Sequence, residues 1–258
     1  MGTLPALAQR APVHYFHSAD LPPGAIGQGQ LVRGGPLPGY FQPVAIKAPQ
    51  GAAISLAVDG RFEPPQPSPV LVGLLIGQVY RIKITGIPRN EGFEVFPTIE
   101  LINRLYPPPG LENHFPIPIE FTLQELEMAL SGQFVTRVIY LEDPNQALPV
   151  ADDPHRQRYW EVRFDEDPLQ VADRLGRPMA IMRMGSRTPM FDEDTKRFLF
   201  ATPPFRKLAR PAPLPRRTAG LEPPITAHTG GASRPIPRIP LRGERLEPAT
   251  VPAAWWRR

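Results

Sequence analysis

IEFTLQELEMALSGQFVTRVIYLED, residues 119–143, is the stretch in which helix and strand separate on physical grounds, and the rest of the chain is arranged around it. Thr122 and Glu125 have capping-box spacing, in which hydroxyl and carboxylate accept backbone N–H groups that a helix start leaves orphaned. The helix is expected over 123–131, with Leu123, Leu126 and Leu130 on one face, Met128 and Ala129 beside them, and Glu125 and Glu127 able to meet water. Gly132 stops it, because glycine reaches the left-handed conformation past a helix end without a Cβ penalty. Beyond it Phe134, Thr136, Val138, Tyr140 and Glu142 alternate with Val135, Arg137, Ile139 and Leu141. That run is rich in β-formers and apolar on much of both faces, which predicts a central strand. The element reads as scaffold.

Proline partitions the chain. The 258 residues include 37 prolines, about threefold the usual share of ~5%. Five fall in 119–186, against thirteen in 41–118 and thirteen in 187–258. The expected organisation is a flexible Pro/Gly-rich segment over 1–39, a β-rich folded domain over 40–186 and a disordered basic Pro/Arg-rich tail over 187–258. A domain of that length can bury a real interior without disulfides or metals. The sequence has no cysteine, which excludes a disulfide framework, thiolate metal sites, iron–sulfur ligation and a cysteine nucleophile, and no cofactor is indicated. The compartment stays open, because exported proteins also manage without disulfides.

The net charge of +4 is an average over two unlike parts. Residues 201–258 hold eleven Lys and Arg against three Glu, whereas residues 1–200 hold 18 basic against 22 acidic side chains. The basic character therefore belongs to the tail. The longest apolar run, Val70 to Ile76, has seven residues, far short of the ~20 that span a bilayer as a helix. Ala6-Leu7-Ala8 has the small-x-small form of a signal-peptide cleavage end. The expectation is that the natural start lies upstream and that the mature protein is exported.

From Tyr40 onward short strands alternate with turn residues. Strands are expected over 43–47, 53–58 before the Asp59-Gly60 turn, 70–75, 78–85, 95–101, 159–164 and 178–184, with Arg61 and Phe62 opening a return strand. Glu63 to Pro69 should be an extended connection, and Pro97 should put its strand at an edge or a bulge. Asp167, Pro168 and Gln170 mark a second helix start, and Gly176 lies just past its end. The fold class expected is mainly β: an antiparallel β-sandwich or barrel-like domain with two short helices, flanked by disordered Pro-rich termini.

No catalytic motif is recognisable. His14 and His17 have a chelating spacing without helical periodicity, and His114, His155 and His228 read as surface or loop residues. The acidic clusters Glu142-Asp143, Asp152-Asp153, Asp165-Glu166-Asp167 and Asp192-Glu193-Asp194 suit loop solvation and capping, with paired carboxylate chemistry as the alternative. Tyr40, Phe41, Tyr106, Tyr159 and Trp160 are either core aromatics or a stacking platform for a sugar. In the tail Arg234, Arg238, Arg242 and Arg245 lie among prolines, and the chain ends Trp255-Trp256-Arg257-Arg258. Guanidinium groups on an extended segment, followed by paired indoles, suit an anionic partner: a cell-wall polymer, a membrane surface, a protein, or less readily a nucleic acid.

Four runs carry a resemblance: RGGPLPGYFQPV (33–44), VFPTIELINRLYPP (95–108), FVTRVIYLEDP (134–144) and LGRPMAIMRMG (175–185). They resemble an uncharacterised family of planctomycete-type bacterial proteins, often predicted to be exported. The resemblance spans roughly 24–186 and implies no activity, ligand or catalytic residue. Together these readings predict a non-enzymatic exported or envelope-associated structural or adhesive binding protein whose basic tail contacts an anionic surface or a protein. The alternatives are a carbohydrate-active or other hydrolytic enzyme using loop carboxylates, and a cytoplasmic nucleic-acid binder acting through the tail.

Overall fold

A computed structural model describes residues 18–145 and 159–212, and within them the chain is mainly β. The order is α1 (Ala25–Val32), β1 (Phe41–Lys47), β2 (Ala53–Val58), β3 (Arg61–Phe62), β4 (Gln66–Pro67), β5 (Val70–Leu75), β6 (Val79–Thr85) and β7 (Thr98–Leu101). After a 3-10 turn at Glu112–His114 come β8 (Ile117–Glu120), α2 (Leu123–Leu130), β9 (Val135–Glu142), α3 (Pro168–Leu175) and β10 (Gly176–Met184). The last elements are β11 (Phe191–Asp192), β12 (Arg197–Phe198) and β13 (Phe205–Lys207).

Two sheets form. One has the order β13-β5-β1-β8, antiparallel except for the parallel pair β1 and β8. The other runs β3-β2-β6-β7-β10-β9, with β4 also pairing β2. Val44, Val72, Leu74, Ile117 and Ile119 of the first sheet belong to one apolar cluster with Ile54, Ile82, Ile99, Leu101 and Met182 of the second, the shared core of a sandwich. In β6 the predicted alternation holds, with Tyr80, Ile82 and Ile84 buried and Val79, Arg81 and Lys83 half-exposed.

Both predicted helices are present with the expected caps. The Thr122 hydroxyl accepts the Glu125 N–H at 3.2 Å, and the Glu125 carboxylate accepts the Thr122 N–H at 3.0 Å. At the far end Gly132 has φ 93°, and the Gln133 and Gly132 amides bond the Met128 and Ala129 carbonyls at 3.0 and 3.1 Å, a Schellman stop. Asp167 accepts the Leu169 and Gln170 amides at 2.8 and 3.2 Å. Gly176, by contrast, is no left-handed cap: its φ of 170° is extended, and it is already the first residue of β10.

The ordered fold is wider than 40–186 at both ends. The segment expected to be flexible over 1–39 is structured from Ser18 onward and contains a third helix, α1. Glycines at 24, 27 and 29 hide it from propensity; tertiary contacts hold it instead. A Cβ on Gly27 would lie 2.7 Å from the Gly77 Cα and 2.9 Å from the Leu101 carbonyl oxygen, so only glycine permits this approach. The Gly27 N–H donates to Glu100 Oε1 at 2.8 Å, and Arg183, 2.9 Å from Glu100 Oε2, donates its Nη2 to the Ala19 and Leu21 carbonyls at 3.3 and 3.4 Å. Asp167 Oδ2 accepts from the Ser18 hydroxyl at 2.6 Å and the Ala19 N–H at 2.8 Å.

The stretch from 187, expected to be disordered, contains three further strands within its described part. β11 and β12 form a hairpin whose Phe191 and Phe198 rings lie 5.0 Å apart, and Phe198 reaches Phe62 at 5.2 Å. β13 then joins the first sheet beside β5, with Tyr80 Oη donating to the Pro204 carbonyl and accepting the Leu75 N–H, both at 2.8 Å. Phenylalanines at 191, 198, 200 and 205 supply apolar anchors that the proline average over 187–258 conceals.

Three strand expectations change. Pro97 precedes β7, which lies between β6 and β10 in the sheet interior; its carbonyl still accepts the Ile82 N–H at 3.1 Å and the Ile84–Val95 bridge continues the pairing beyond it, so the ladder runs past the one missing donor. Tyr159 to Phe164 has no regular strand structure, and Tyr159, Trp160 and Phe164 are exposed. β9, expected at the centre, is the terminal strand of its sheet and among the described residues pairs only with β10. Its two apolar faces are explained by helices: Val135 and Ile139 share the core with Leu126 and Ala129 of α2, while Val138 packs with Leu169 of α3.

Candidate functional site

The tail residues singled out for an anionic partner, Arg234, Arg238, Arg242, Arg245, Trp255, Trp256, Arg257 and Arg258, lie outside the described residues. So do His14, His17, His155, His228 and Asp152-Asp153. Most carboxylates of the remaining acidic clusters have partners within the chain, Asp167 those already described and the others close by. Asp143 accepts from Asn145, Asp165 binds Arg163, Glu166 binds Arg174, and Glu193 binds Lys196. The Asp192 carboxyl is held below the usual carboxylate range by hydrogen bonds from Thr195 and the Asp194 backbone, within its own turn. Among the described residues no group of three or more His, Cys, Asp or Glu is placed to hold a metal ion.

The aromatic candidates divide into two places. Arg104 lies between Tyr40 and Tyr106, its Cζ 4.0 and 4.5 Å from the two ring centroids, and Arg177 lies 5.5 Å from the Tyr106 ring. Arg206 covers Phe41 at 4.4 Å. These rings spend faces on guanidinium groups of the same chain and offer little to a sugar. Tyr159 and Trp160 are different: they line a groove and are 50% and 68% exposed.

That groove, about 510 Å3, runs along β9. Every residue from Phe134 to Tyr140 lines it, which a strand whose side chains alternate between faces can do only if the opening follows the strand's free edge. Gln124, Glu125 and Met128 of α2 form one wall, and Tyr159–Arg163 with Pro168 and Val171 of α3 the other. Exposed Phe134 and Trp160 give the lip apolar surface.

Arg137 is the chemical centre of the groove. Its side chain is 14% exposed, and Nη1 lies 3.2 Å from Glu125 Oε1. Nε and Nη2 are buried without a hydrogen-bond partner. Those two nitrogens form one edge of the planar guanidinium, the fork that matches a pair of acceptor oxygens. Burial pushes the Arg137 pKa below its ordinary value, while the Glu125 and Glu120 carboxylates pull it back up. Nearby, burial first and then the Glu142 charge raise the Tyr140 hydroxyl pKa, and a hydrogen bond with Trp160 works the other way.

Arg137 was visible in the sequence as a lone charge inside the apolar alternation of 134–141, the mark of a buried charge with an assigned partner or a ligand. Glu100, within Thr-Ile-Glu-Leu, and Arg183, within Met-Arg-Met, carry the same mark and find each other. Comparison with protein-family models, curated proteins and solved structures finds no match to this chain.

Proposed function

We propose that this chain is a non-enzymatic binding protein that holds a partner in the groove along β9. The observation that carries the reading is the unsatisfied guanidinium edge of Arg137, whose Nε and Nη2 are buried beside the groove without a hydrogen-bond partner. A buried donor pair left empty costs about 1–3 kcal/mol per group, and a ligand supplying two acceptor oxygens would recover that cost. The lip residues Phe134 and Trp160 add the apolar and aromatic contact that binding surfaces favour. An exported or envelope-associated setting is supported by the Ala6-Leu7-Ala8 motif and by the arginine excess beyond residue 200, which suits an anionic surface, and membership of the planctomycete-type family by the resemblance of the runs within 24–186.

The test is a peptide array and a glycan array probed with the full chain. Binding on either that falls at least tenfold with Trp160→Ala supports the reading. Failure to bind on both arrays, or cleavage of a captured molecule, overturns it.

A further inference from the structure

We propose that β9 receives an extended segment of a partner protein as an added strand, in which a Glu or Gln side chain meets the unsatisfied edge of Arg137. This rests on the binding reading above and names its ligand class. The edge of β9 is the first support: among the described residues its only pairing is with β10, and its outward N–H and C=O groups meet no other strand there. An exposed edge is ordinarily blunted by charge, proline or a bulge. β9, Val135–Glu142, carries no proline and two charged residues, Arg137 and Glu142 at its end, and the bulge in its pairing with β10 falls on β10, between Pro178 and Ala180.

The shape selects a single segment. Residues 134–140 line the groove, about 24 Å of strand at ~3.4 Å per residue, with α2 along one side and α3 with 159–163 along the other. One extended chain fits between such walls. A second copy of this chain does not, since its β9 arrives with its own α2 and α3 and would set helix against helix.

The chemistry selects the side chain. Arg137 has donors only, and its free edge asks for two acceptor atoms in one plane. Glu125 already balances the charge through Nη1, so acceptor geometry matters more than net negative charge, and Glu and Gln both qualify. Cross-strand neighbours stand about 4.5–5.5 Å apart at Cβ, which brings such a carboxylate or amide within reach of the guanidinium.

A phage-displayed random octapeptide library selected on the full chain is the probe. Enriched peptides should share Glu or Gln at one position and lack proline at alternate positions. A synthetic binder should lose at least tenfold in affinity on Glu→Lys exchange at that position, on N-methylation of alternate backbone nitrogens, and with the Arg137→Met protein. N-methylation of the intervening nitrogens should change affinity less than twofold. The peptide variants act on the unaltered protein, so they decide the matter even if Arg137→Met folds poorly. No enriched peptide, indifference to every N-methyl group, or equal binding of the Lys peptide overturns strand addition. If glycans bind through Trp160 while peptides do not, strand addition falls and the binding reading stands; if neither binds, both fall.

Discussion

Two arginines on neighbouring strands, Arg183 in β10 and Arg137 in β9, are both taken out of water, yet they end in opposite conditions. Arg183, 5% exposed, meets fully buried Glu100 and the carbonyls of Ala19 and Leu21, so the ion pair also straps the 18–27 segment to the sheet. Arg137, 14% exposed, has one partner and two idle nitrogens. The difference follows from position in the sheet. β10 has a strand on each side and a peptide strap above it, whereas β9, among the described residues, has a strand on one side alone. A buried charge in the interior is completed by the fold; the one at the edge keeps two donors without a partner among the described residues.

The harshest way to break this contrast is Arg183→Met, which leaves the Glu100 carboxylate buried without its partner. Stability should fall by about 3–5 kcal/mol, read from urea unfolding, and protease nicking near residue 25 should increase as the strap loosens. Raising the pH probes a different buried donor. Burial pushes the Tyr80 hydroxyl pKa up to about 12, against the Leu75 N–H bond that lowers it, while an unfolded tyrosine titrates near ~10. The neutral hydroxyl therefore stabilises the fold fully below pH 10, and that contribution is lost as pH rises from 10 toward 12. Thermal melts should record the fall, and Tyr80→Phe should flatten it.

Thr122→Ala should cost about 1 kcal/mol through the lost cap. It should also free Glu125 to turn further onto Arg137, weakening any groove ligand. The smallest stability change is expected for Arg137→Met: the lost Glu125 pair, about 1.5–3 kcal/mol, is offset by removal of two orphaned donors. Unfolding should shift by less than about 1 kcal/mol, in contrast with Arg183→Met. Equal losses in the two variants would erase the distinction between them.

Much of the scaffold was legible because local chemistry and tertiary structure agree there. The Thr122 and Asp167 caps, the Gly132 stop and the alternation of β6 all appear as the residues imply. What stayed hidden depends on contacts between distant segments. α1 is glycine-rich and held by Glu100 and Gly77 from elsewhere in the chain. Phe198 anchors its hairpin only because Phe62 and Phe96 present an aromatic face to it. The pattern at 134–141 showed two apolar faces, but periodicity cannot say whether a strand or nothing lies along each edge. The groove was therefore invisible, although Arg137 within it was a legible anomaly.

Amide hydrogen exchange along β9 and β10 tests the contrast most directly. In an antiparallel edge strand alternate amides bond the neighbour and the others face outward. Alternate amides from Val135 to Glu142 should exchange fast while Ala180 to Arg183, flanked on both sides, are protected throughout. Uniform protection along β9 would mean that its edge is already filled, and would contradict the account.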